Sequence, residues 1–109
     1  METWLEISEA ERQLNQVLST LRKNGEAYAR AEREYRIAKA KKILELKNKG
    51  YAITLILDLT KGDEEISLLA MKRDIAEVTY KANKDALSVK MMELGILKTQ
   101  YEKEYANTK

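Results

Sequence analysis

The residues most able to do chemistry lie near the middle of this 109-residue chain, where Asp58, Asp63, Glu64 and Glu65 follow one another closely. Carboxylates at that density suit a hard cation such as Mg²⁺ or Ca²⁺. Their spacing does not match a calcium-binding helix–loop–helix. Asp63 followed by two glutamates is better explained as the capped, acidic start of a helix, and no metal is expected. The chain has no His and no Cys, which removes the commonest general base, the commonest metal ligand and any thiol nucleophile. Ser8, Ser19, Ser67 and Ser88 would depend on a lysine for activation, and no such pairing is evident. Gly50 and Gly62 do not form a phosphate loop. No catalytic residue and no cofactor are therefore expected, and the chain reads as a non-enzyme.

Charge is a second source of chemistry. Residues 23–49 carry nine basic side chains against four acidic ones, although the whole chain is only +2. A basic helical segment can contact phosphates, and Tyr28 and Tyr35 within it could stack on bases. The competing reading is a solvated coiled-coil flank in which arginines meet glutamates at helical spacing. Tyr28 and Tyr35 share a face with Ala31 and Ala38, which places them in the core. The candidate interaction surface is the apolar and basic surplus at Arg30, Arg33, Arg36, Ile37, Lys41 and Leu44.

These residues must be positioned by helices. Charged residues make up 35% of the chain, aromatics 6%, and Pro is absent, a composition that suits long helices. Thr3 and Glu6 have the spacing of a capping box. Leu14, Val17, Leu18 and Leu21 lead into Tyr28, Ala31, Tyr35 and Ala38 along one helical face. Asn24-Gly25 interrupts the pattern. A helix ending there would set Glu26 against Leu21, which make no hydrophobic contact, so a continuous or kinked helix is favoured. Gly50 differs, because Leu46 and Tyr51 can pack around it and lysines flank it; a helix end is expected at Lys49. Residues 53–59 alternate like a strand, but no partner strand exists. Thr54 as N-cap and Gly62 beyond the end bracket a short helix instead.

The expected architecture is all-α: a long antiparallel helical hairpin, coiled-coil-like, with helices over about residues 3–49, 55–61 and 64–105 in a single domain. The two long helices would rise roughly 70 and 63 Å. The inner face of the last helix is read through Ile66, Leu69, Arg73, Ala76 and Tyr80, then Asn83, Leu87, Met91, Leu94, Leu97 and Tyr101. Val78, Val89, Met92 and Ile96 lie partly off that face, as Ile37 and Leu44 lie partly off the stripe of the first helix. This surplus predicts self-association into a four-helix arrangement. The alternative is a monomeric three-helix bundle broken at Gly25.

Three stretches carry a resemblance: Ala27 to Leu44, Gly50-Tyr51 with Thr54-Leu55-Ile56 and Lys61-Gly62-Asp63, and Arg73 to Lys81. Across about residues 12–103 the chain resembles a group of small helical proteins of phages and prophages of Gram-positive bacteria, a family without assigned activity. In that group the position after Gly-Tyr is often Pro, where this chain has Ala52. The resemblance implies a phage-encoded protein of the host cytoplasm and transfers no functional residue. An acidic N-terminus and the lack of any apolar run near about 18 residues also predict a cytoplasmic location without membrane contact. The functional expectation is a protein–protein interaction, modulating host or phage DNA metabolism. The alternative is a nucleic-acid-binding accessory that uses residues 23–49.

Overall fold

In the computed structural model, which describes residues 2–108, the chain forms three helices. They are α1 (Glu2–Asn48), α2 (Ile53–Gly62) and α3 (Glu64–Thr108). The fold is a long antiparallel helical hairpin with a short helix in its connector. α1 runs through Gly25 without a break, which removes the three-helix alternative. A single glycine penalty of about 1 kcal/mol is spread over a helix of 47 residues that is supported by tertiary contacts.

By internal contacts the chain divides into two compact units, Met1–Lys23 with Tyr80–Lys109, and Asn24–Thr79. In the first unit, Ile7, Ala10 and Leu94 form a buried cluster flanked by Leu14 and Leu97. Polar contacts set the antiparallel order. Thr3 Oγ1 donates to Glu104 Oε1 at 3.0 Å, Lys90 Nζ to Gln13 Oε1 at 2.6 Å, and Asn83 Nδ2 to the Val17 carbonyl at 3.3 Å. The Trp4 and Tyr101 rings lie 6.1 Å apart. Thr3 is thus a buried helical residue facing α3, and the expected capping box does not form. Position 90, not Met91, occupies the seam: Met91 is exposed, and Lys90 keeps its stem half-buried while its amine reaches Gln13 and Glu93.

The second unit holds the turn. Gly50 has φ +87°, its N–H donates to the Lys47 carbonyl, and the Tyr51 N–H donates to the Leu46 carbonyl. Those two bonds are the Schellman ending expected from the sequence, with the helix closing one residue earlier, at Asn48. α2 begins earlier than expected. Ala52 is its N-cap residue, without a side-chain capping bond, so Thr54 lies inside the helix. Gly62 is the last helical residue and not a left-handed one, because the chain turns at Asp63. α2 presents only Ile56 and Thr60 inward, at 3% and 1% exposure; Ile53, Leu55, Leu57 and Leu59 are exposed. Asp63 caps α3 as expected, its carboxylate accepting from the Ile66 N–H at 3.0 Å.

Candidate interaction surface

The six residues proposed from the sequence all lie on α1 within Asn24–Thr79, and all are exposed. Arg30, Arg33, Ile37, Lys41 and Leu44 follow helical spacing and share one side. Arg36 is committed within its own helix, with Nε 2.7 Å from Glu32 Oε1. Ile37 and Lys41 also edge an open cleft of about 460 Å³, whose walls include Lys42, Asp63, Ile66 and Leu69. The cleft mixes both signs of charge: Lys42 Nζ sits 3.3 Å from Asp63 Oδ1.

The tyrosines are half-buried in the helix pair. Tyr28 Oη donates to Glu77 Oε2 at 3.4 Å. The Arg73 guanidinium lies 4.3 Å from the centre of the Tyr35 ring, with Glu32 Oε2 3.7 Å and Asp74 Oδ1 2.9 Å away. A charged residue on the inner face of α3 is therefore matched by a ring face and two carboxylates. The hydrogen bond from Arg73 to Asp74, more than any other influence, holds the guanidinium pKa above its ordinary value.

At the turn, the hydrogen bond from the Ile66 N–H holds the Asp63 carboxyl below its ordinary pKa; desolvation opposes it, and Lys42 then adds to the lowering. A lowered folded-state pKa contributes stability that is present above the unfolded pKa and lost as pH falls through the folded one. Acid unfolding should therefore draw on Asp63 below about pH 4. Asp63→Asn, which keeps a capping oxygen, is expected to flatten this part of the stability–pH curve while altering neutral stability little. Urea titrations at several pH values check it, and an unchanged slope would remove Asp63 from the account. Among the described residues, no group of three or more acidic side chains is placed to hold a metal ion.

The larger exposed apolar surface is on α3. Leu68, Met71, Ile75 and Val78 are exposed on one side of the helix, Val78 at 68%. Val89, Met92 and Ile96 continue the same alternation of three and four residues, with Met92 at 69% exposure. Ala82 and Asp85 fill the intervening positions and are exposed too. Sequence reading found Val78, Val89, Met92 and Ile96 but missed Leu68, Met71 and Ile75. The signal was available: stepping by seven from Val89 leads through Ala82 to Ile75 and Leu68. Among the described residues, no helix is long and apolar enough to cross a membrane. Comparison with family models, curated proteins and solved structures returns no match.

Proposed function

We propose that this chain is a non-enzymatic helical protein that works through protein–protein contact, and that its first partner is a second copy of itself. One observation carries the reading: α3 meets α1 on one face and keeps seven large apolar side chains exposed on another. A lone exposed leucine needs no explanation, but a row of them along one helix face marks an interaction surface. In the phage setting that the resemblance implies, such a scaffold would meet a host or phage factor of DNA metabolism by surface contact.

Phosphate binding by residues 23–49 has less support. Arg36, Lys42 and Lys49 already sit beside Glu32, Asp63 and Glu45, and Tyr28 and Tyr35 are engaged by α3. Light scattering after gel filtration, at tens of micromolar protein, tests self-association. The expected mass is twice the 12.6 kDa of one chain, and a single-chain mass would overturn the reading.

A further inference from the structure

We infer that the exposed face of α3 is a coiled-coil seam for the α3 of a second copy, and that the two helices pair antiparallel in one register, with Val78 opposite the partner's Val89. The inference rests on the self-association just proposed and adds its face, direction and alignment.

The face has the form of a seam. One set of positions, seven apart, runs from Leu68 through Ala82 to Ile96, and the other from Met71 through Asp85 to Thr99. Together they make the alternation of three and four that keeps a stripe facing a neighbouring helix. α3 is uninterrupted from Glu64 to Thr108, so the stripe continues along a single helix. Between Leu68 and Ile96 it rises about 42 Å.

Asp85 decides the direction. In a parallel pair, like positions face each other, and Asp85 would meet the partner's Asp85 inside the apolar seam, two like charges losing solvent together. In an antiparallel pair the two sets interleave. Asp85 then faces the partner's Ala82, whose small side chain leaves the carboxylate access to water. The same alignment places Met71 opposite the partner's Ile96 and Ile75 opposite the partner's Met92, pairs of similar size.

Flanking charges decide the register. With Val78 opposite the partner's Val89, Lys72 lies beside the partner's Glu93, an attractive pair formed twice by symmetry. Sliding by seven residues one way brings Asp74 against the partner's Glu102 and moves Asp85 opposite Val89. Sliding the other way sets Lys81 against the partner's Lys81 and moves Asp85 opposite Ile75. Among these three alignments, only the first combines an attractive flank with a small residue facing the aspartate.

The absence of cysteine allows spin labels to be placed singly, at Lys84→Cys and at Glu64→Cys. At 1.5 Å per residue, antiparallel pairing in this register puts the two labels at position 84 within about 25 Å and those at position 64 roughly 58 Å apart. Short distances at both positions would mean parallel pairing and would overturn the inference. A dimer mass with long distances at position 84 would overturn this face and leave self-association standing; a single-chain mass would overturn both. Asp85→Leu, on the exposed face of each chain, is expected to tighten dimerisation by about tenfold and to admit the parallel form, because it removes the group that opposes it. An unchanged dissociation constant for that variant would remove Asp85 as the determinant of direction.

Discussion

Replacing Leu94 with alanine should lower the stability of the chain by about 2–3 kcal/mol, toward the lower end of the range for buried leucines. Leu94 is 8% exposed and belongs to the cluster with Ile7 and Ala10, so truncation removes transfer free energy and leaves a void. A two-helix seam is shallow, and its neighbours can partly close that void, which keeps the cost below that in a deep globular core. For a chain of this size the midpoint of thermal unfolding should fall by roughly 10 °C or more. Met92→Ala is the informative control, since Met92 is 69% exposed. At protein concentrations low enough to suppress association it should change stability by less than about 0.5 kcal/mol. Urea unfolding of both variants checks the pair of values. Equal losses would mean that the inner and outer faces of α3 have been misassigned.

A second pair of effects, of opposite sign, is expected at two glycines, one at the turn and one within α3. Gly50 has φ +87°, and a Cβ there would meet nothing within 4 Å. Gly50→Ala therefore costs only backbone strain, about 1–2 kcal/mol. Gly95 lies inside α3, and a Cβ there also meets nothing within 4 Å. Gly95→Ala should stabilise the chain by about 0.5–1 kcal/mol, because alanine loses less conformational freedom in a helix. Chemical denaturation with both variants in the same buffer compares them directly. Destabilisation by Gly95→Ala, or a neutral Gly50→Ala, would contradict the backbone assignments.

These contrasts mark what was legible in the sequence. Gly50 was identifiable because its whole ending is encoded locally: Leu46 and Tyr51 flank a glycine, and lysines sit at the negative end of the helix. Asp63 was identifiable for the same reason. Thr54 misled because a threonine before an apolar run resembles an N-cap, whereas the chain enters α2 at Ala52 without side-chain help. Thr3 misled in a similar way, since its hydroxyl is used across the helix pair by Glu104, a partner 101 residues away. Lys90 was passed over for Met91 because hydropathy favours methionine; geometry favours the lysine, whose amine finds Gln13 and Glu93. Arg73 was placed correctly on the inner face, but its acceptors, the Tyr35 ring and Glu32, became visible only with α1 beside it.

The outer face of α3 was only partly legible for a different reason. A helix with apolar residues on two opposite sides has little net amphipathicity, so a search for one stripe blurs the two together. Assigning the inner residues by burial leaves the remainder as a second, regular stripe. The candidate surface on α1 around Arg30 and Leu44 has no such regularity, since its two large apolar residues, Ile37 and Leu44, stand among exposed cations.

Sedimentation velocity of the natural chain beside Val78→Asp/Val89→Asp, from about 1 to about 100 µM, tests most directly whether this outer face of α3 is the contact surface. Both substitutions lie at exposed positions, so the variant should keep its helical circular dichroism. The expected result is a natural chain that shifts toward twice its mass as concentration rises, while the variant remains a single chain throughout. A natural chain that stays single, or a variant that associates as strongly as the natural chain, would contradict the assignment of this face.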